Sequence, residues 1–197
     1  MKVGARPYRL AARAESMART REAILRASAQ AFWTAPSPEI TLESVAEQAG
    51  VTVQSVLRHF GSKSGLMAAT ASWQAEQVAT TRDPATATDT VSAVEQLVAH
   101  YEEIGDGVLR LLAEATRVPE LVPVVDQGRR FHRQWCRAVF ADTLNALPTG
   151  ERRIRLAQLV AVCDVYMWKL LRRDAGLSRR ATGAALVQIL QPLVDGD

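Results

Sequence analysis

The chain is poor in cysteine: Cys136 and Cys163 are its only two. They make neither a disulfide framework nor a metal-ligand spacing, so no metal is expected. No apolar run approaches the roughly eighteen residues that a bilayer span needs. The basic start, "MKVGARPYRLAARAES", lacks the continuous apolar core of a signal peptide, so a cytoplasmic protein without membrane contact is expected. Almost no stretch alternates apolar and polar residues, which leaves helices to carry the fold. Internal repeats and low-complexity segments are absent. So are a glycine-rich phosphate loop and a convincing acid pair. His132 and Cys136, at i and i+4, share a helix face but have no third partner, so neither an enzyme nor a cofactor is expected.

What is present is apolar residue in quantity, 48% of 197, enough for a sizeable core. The net charge of +3 is unevenly placed. Residues 1–70 carry nine Lys/Arg against five Asp/Glu, whereas the remainder is close to neutral. Six of the nine (Lys2, Arg6, Arg9, Arg13, Arg19 and Arg21) fall in the first 21 residues, against Glu15. Charge gathered at one end suits a polyanionic partner there; a solvated basic tail is the alternative.

Apolar spacing sets a first helix at about Ala14–Trp33, with Ile24, Leu25, Ala27, Ser28, Ala31 and Phe32 on one stripe. "TAPSPE" ends it, because its prolines do not sit in a helix interior. Thr41 is placed to cap a helix at about 42–49, Gly50 to close it, and Thr52 to cap another at about 53–59. Ser62 caps a long fourth helix to about Thr81. Beyond it lie helical segments at about 88–103, 105–117, 120–147, 151–174 and 178–194, separated at Gly105–Gly107, Pro119, Pro148–Gly150 and Gly176–Ser178.

The stretch "LESVAEQAGVTVQSVLRHFGSKSGL" has the parts of a helix-turn-helix: a helix that packs through Val45, Ala46 and Ala49, a glycine turn, and a short second helix. Val56 and Phe60, at i and i+4, are its best core pair. Thr52, Val53, Gln54, Ser55, Leu57, Arg58 and His59 share the remaining arc.

Residues 19–70 resemble the DNA-binding domain of the TetR family of transcriptional repressors. Ile24, Leu25, Ala27, Phe32, Thr41, Val45, Ala46, Ala49, Gly50, Val51, Thr52, His59, Phe60, Ser62, Lys63 and Leu66 stand where that family's pattern places such residues. Two places depart from it. "TAPSPEI" replaces a glycine-containing loop, and Leu57 stands where the family often has a phosphate-binding Tyr; Arg58 is the neighbour placed to substitute. The resemblance implies an all-α protein: a three-helix DNA-binding domain with its basic arm (1–62), joined by a long helix to a larger helical domain for ligand binding and dimerisation (63–197). It further implies phosphate contacts from Thr41, His59 and Lys63. Among the exposed residues Gln54 is the first candidate for a base edge, because its amide pairs bidentately with adenine, with Thr52, Val53 and Ser55 behind it.

The same resemblance implies a homodimer, joined through the last two long helices, that reads a pseudo-palindromic operator and is released by a small-molecule effector. Aromatic or polar residues inside apolar helical segments are the pocket candidates: His100, Tyr101, Trp135, Asp164, Tyr166 and Trp168. Asp164, inside "VAVCDVYMW", has three readings open: a buried arginine partner, the dimer interface or a polar effector. "GRRFHRQWCR" is read as a solvated or ion-paired face. The alternatives are a regulator without a ligand, an activator, and a helical protein–protein adaptor whose helix-turn-helix is only structural. Salt separates the last: DNA retention by a phosphate-contacting dimer is expected to fall on the order of a hundredfold between about 50 and 200 mM salt. Retention that is absent, or indifferent to salt in a filter-binding titration, would favour the adaptor.

Overall fold

The computed structural model describes residues 5–34 and 39–196. The chain divides into two compact units, Met1–Gln74 and Ala75–Asp197. Among the described residues every regular element is a helix.

The first unit holds α1 (Ala5–Thr34), α2 (Leu42–Gln48), α3 (Val53–Phe60) and the start of α4 (Lys63–Thr81). α1 begins earlier than its apolar stripe suggests, since Pro7 falls in the first turn, where proline's missing N–H costs no bond. Ile24, Ala27, Ile40, Val45, Ala46, Val56 and Leu66 form the core. A buried hydroxyl pair adds a polar tie between α1 and α4: Thr70 Oγ1 lies 2.9 Å from Ser28 Oγ and 2.8 Å from the Leu66 carbonyl. The "TAPSPE" break falls largely on residues 35–38, outside the described residues. So do Lys2 and the side chains of Arg6 and Arg9 in the basic arm.

The second unit holds α5 (Thr90–Glu114), α6 (Val122–Val139), α7 (Ala141–Asn145), α8 (Thr149–Val162), α9 (Val165–Lys169) and α10 (Arg179–Asp195). α5 packs along α10 and α9, and α8 against α6 and α10. Val94, Leu97, Tyr101, Trp135, Leu159, Trp168, Leu186 and Leu190 lie in their shared core. No helix among the described residues is long and apolar enough to cross a membrane.

Three of these segments differ from the sequence expectation, each for a physical reason. The segments at 88–103 and 105–117 are one helix, α5: Gly105 is a packing site rather than a break. A Cβ there would lie 2.6 Å from Trp168 Cζ3, so the bare backbone admits the indole. The segment at 151–174 is interrupted. Asp164 adopts an extended backbone and caps α9, its Oδ1 accepting the Tyr166 N–H at 2.9 Å. α9 then widens into a π turn over Leu170–Asp174. The segment at 120–147 divides at Phe140, whose backbone leaves the helical region (φ −102°, ψ 30°). α10 follows the expected segment, running Arg179–Asp195 with Pro192 inside it, where the proline has no N–H to donate to the Gln188 carbonyl.

Gly105→Ala tests the indole contact. In an ordinary helix interior the change would stabilise by about 0.5–1 kcal/mol. Against Trp168 it is expected to destabilise by about 1–3 kcal/mol, as overpacking does. Chemical denaturation decides the sign.

Candidate nucleic-acid interface and a buried arginine cluster

The turn between α2 and α3 is built from local bonds. Gly50 takes φ +66°, the left-handed conformation that glycine adopts without strain. Its N–H donates to the Glu47 carbonyl at 3.1 Å and the Val51 N–H to Ala46 at 2.9 Å, the paired bonds of a Schellman closure. Thr41 and Ser44 form a reciprocal capping box on α2. Thr52 caps α3, accepting the Ser55 N–H at 3.2 Å, while the two hydroxyls lie 3.0 Å apart. Ser62 Oγ accepts the Gly65 N–H at 3.0 Å at the start of α4. Gly65 is a close approach that the sequence did not reveal: a Cβ there would meet the Phe60 carbonyl oxygen at 2.1 Å.

α3 is held by one fully buried residue, Val56, with Val53 and Phe60 partly buried beside it. Thr52, Gln54, Leu57 and Arg58 are exposed, and Ser55 and His59 half-buried. Arg21 on α1 places its guanidinium 5.6 Å from the Phe60 ring centre. Lys63 stands at the first position of α4, half-buried. The residues expected to face DNA therefore lie on α3 and its two flanking turns, except Thr41, which caps α2. Leu57 is 38% exposed, an apolar side chain on the outer surface of α3.

In the second unit the pocket candidates separate. His100, Tyr101 and Trp135 gather around a residue that sequence reasoning overlooked, Arg82. Arg82 immediately follows α4 and is 2% exposed. Its guanidinium carbon lies 4.2 Å from the Trp135 ring centre, 5.8 Å from Phe131 and 6.0 Å from Tyr101. Its Nε and Nη2 atoms have no hydrogen-bond partner, and neither does Trp135 Nε1. None of the ion pairs among the described residues includes it. Burying a lone ion costs several kcal/mol, whereas a desolvated cation over an indole returns about 2. The arginine is thus only partly compensated, and burial holds its pKa below the ordinary value.

The neighbours respond to that burial and charge. Burial, then the Arg82 charge and His132, draw His100 down to about 3, leaving it neutral. Burial pushes the Tyr101 phenol up, and its hydroxyl donates to the Cys163 carbonyl at 3.1 Å. His132 Nε2 lies 3.1 Å from the Val160 carbonyl and 3.8 Å from Cys136 Sγ. Burial opposes protonation of His132, but the Cys136 contact and the Val160 carbonyl outweigh it and raise its pKa. A hydrogen bond with Cys163, opposed by burial and assisted by His132, draws the Cys136 thiol below its ordinary value. The same contact, with burial, drives Cys163 up.

The other three candidates have different surroundings. Asp164 is occupied as the α9 cap. Tyr166 is 54% exposed. Trp168 packs on Gly105, 6.0 Å from the Tyr101 ring, and its Nε1 donates to Glu102 at 3.3 Å. Of the arginines in "GRRFHRQWCR", Arg129 pairs with Asp126 at 3.5 Å, and Arg130, Arg133 and Arg137 are exposed.

Residues 24–70 match the family model described as bacterial regulatory proteins, tetR family. No curated protein matches the chain. Among solved structures, a transcriptional regulator from Rhodococcus sp. Rha1 superposes with a TM-score of 0.68 at 20% identity, covering 89% of this chain and 96% of that one. A TetR transcription regulator from Haloarcula marismortui gives 0.67 at 16% identity, over 90% and 97%. NalD of Pseudomonas aeruginosa, the secondary repressor of the MexAB-OprM multidrug efflux pump, gives 0.57 at 20%, over 91% and 97%. At these identities the likeness is one of fold.

His100 yields a pH prediction. Its folded value lies below the ordinary 6.5, so the unfolded chain binds a proton that the folded chain refuses. Stability is therefore expected to fall as pH drops below 6.5 towards about 3. His132, with its raised value, acts in the opposite direction, so the informative quantity is a difference. The decline in Tm from neutral to mildly acidic pH should be shallower in His100→Gln, which retains His132, than in the parent. Equal slopes would remove His100 from the account.

Proposed function

We propose that the chain, whose residues 24–70 match the tetR family of bacterial regulatory proteins, is a homodimeric transcriptional repressor released from its operator by a small-molecule effector. The observation that carries DNA reading is α3: an eight-residue helix secured by Val56, capped by Thr52, and left with Gln54, Leu57 and Arg58 exposed. A helix anchored on one side and polar at its N-terminal end fits the major groove. Gln54 reads a base edge, with Thr52, Val53 and Ser55 beside it. His59, Lys63 and Arg58 hold phosphates, and Thr41 adds its hydroxyl or the N-terminus it caps. Leu57 contributes no phosphate hydrogen bond, so more of that work falls on Arg58.

Dimerisation through α8–α10 is supported by the apolar side chains left exposed there: Ile154, Tyr166, Leu170 and Ile189 are 61%, 54%, 55% and 40% exposed. These helices already bury Leu156, Leu159, Trp168, Leu186 and Leu190 in their own unit, so the exposed set belongs to a second surface. A second copy on that surface supplies the two recognition helices that a pseudo-palindrome requires. The effector enters the second unit near His100, Tyr101 and Trp135. α4 runs without a break from the Ser62 cap to the residue before Arg82, which makes it the element that a ligand at that end would bias. Release then follows the difference in effector affinity between the DNA-competent and incompetent states. Repression is the stated role of NalD, and supports the same sign here.

Two substitutions test the assignment of roles. Gln54→Ala is expected to reduce discrimination between operator and random DNA by about five- to a hundredfold, the value of a bidentate base contact. Lys63→Ala is expected to weaken both DNAs alike and to lower the salt slope by about one. Electrophoretic mobility shift at several salt concentrations reads both, and the reverse pattern would overturn the roles.

A further inference from the structure

We propose that Arg82 is an anion-binding residue, and that its ligand is a small apolar or aromatic monocarboxylate held by the Nε–Nη2 edge of the guanidinium beside the Trp135 ring. This deepens the effector reading above and rests on it.

The two unpartnered atoms belong to one edge. Nε and Nη2 present parallel N–H bonds on the same side of the guanidinium, spaced for the two oxygens of a carboxylate. The chain uses this edge twice elsewhere. Arg172 Nε and Nη2 donate to the two carboxylate oxygens of Glu102 at 2.8 and 3.4 Å. Arg173 Nε and Nη2 donate to those of Asp106 at 3.1 and 2.9 Å. Both of those arginines are far more exposed than Arg82, yet each has an acid. Arg82, the most buried of the three, forms none of the ion pairs among the described residues.

The surroundings select the rest of the ligand. Tyr101, Phe131 and Trp135 are the ring systems around the guanidinium, so the body of the molecule is apolar or aromatic. Trp135 Nε1 adds another donor without an acceptor to the same cluster. His100 is neutral there and adds no cation to the cluster. A water would accept hydrogen bonds without bringing a charge; a carboxylate brings two acceptor oxygens and a charge opposite to the arginine's. Arg82 is also the first residue past α4, so an anion seated on its side chain engages the chain where that helix ends.

The test uses the full-length protein with benzoate and octanoate as probes, each against its neutral primary amide. Binding is read by quenching of tryptophan fluorescence and by thermal shift. Each carboxylate is expected to bind at least about tenfold more tightly than its amide, as a charge-assisted bidentate contact requires. Arg82→Met, which removes a buried unpaired charge, is expected to fold with an unchanged or higher Tm and to lose the preference. Arg82→Lys, a point charge without the fork, should retain a smaller preference, and it decides the matter if the methionine variant does not fold.

Equal affinity for acid and amide, no saturable binding of either carboxylate at millimolar concentration, or a preference that survives in both variants would overturn the proposal. Retention of a selected DNA fragment is followed in the same titrations. Arg82-dependent carboxylate binding that leaves DNA retention unchanged would sink the release mechanism and keep the anion site. Release by the neutral amides, indifferent to Arg82, would do the reverse.

Discussion

Helices of seven and eight residues do not persist in water on their own backbone bonds, because nucleation costs more than so few bonds return. α2 and α3 are of that size. Their existence rests on a shared core around Val45, Ala46 and Val56, on threonine caps at both N-termini, and on the Gly50 closure between them. This constraint also frees a surface. Since α3 is held from one side and at its ends, exposed Gln54, Leu57 and Arg58 need not contribute to stability. They are available to a partner, which in the function proposed above is DNA.

The second unit shows the opposite economy. Its core is large enough to bury a charge, and it does so at Arg82 with rings in place of an acid. Buried arginines are ordinarily paired, and the pairing of Arg172 with Glu102 and Arg173 with Asp106 shows the same chain following the rule. The departure at Arg82 is local, and it falls among three of the side chains that sequence patterning had already marked. Neutral His100 and the raised Tyr101 phenol both reflect the same dry surroundings.

Sequence and structure agree best where the determinants are local. Thr41, Gly50, Thr52 and Ser62 each act within a few residues, so the caps and turns of the first unit could be read directly. The disagreements share a different cause. Gly105 looked like a stop because glycine usually is one, but its role is set by Trp168, sixty residues away in sequence. Asp164 looked like a lone carboxylate in an apolar run, because a cap without proline or glycine gives no break signal when a helix resumes two residues later. Arg82 sits in "TTRDPATATD", which reads as a solvated connection; nothing within its own segment announces burial. His132 and Cys136 were noticed as a pair without a third partner; the contact of Cys136 with Cys163 lies too far along the chain for spacing to show it.

The contact between Gly105 and Trp168 has a consequence for descent. A side chain at position 105 and an indole at position 168 exclude each other, so neither site drifts alone. Relatives that place alanine or serine on α5 at that point must carry a smaller residue on α9, or move the helix that bears it. Because α9 lies between the Asp164 cap and the π turn at Leu170–Asp174, such a shift would propagate into the surface carrying Tyr166 and Leu170. A missing methyl group in the core of one helix thereby ties the history of the interior to that of the outer face.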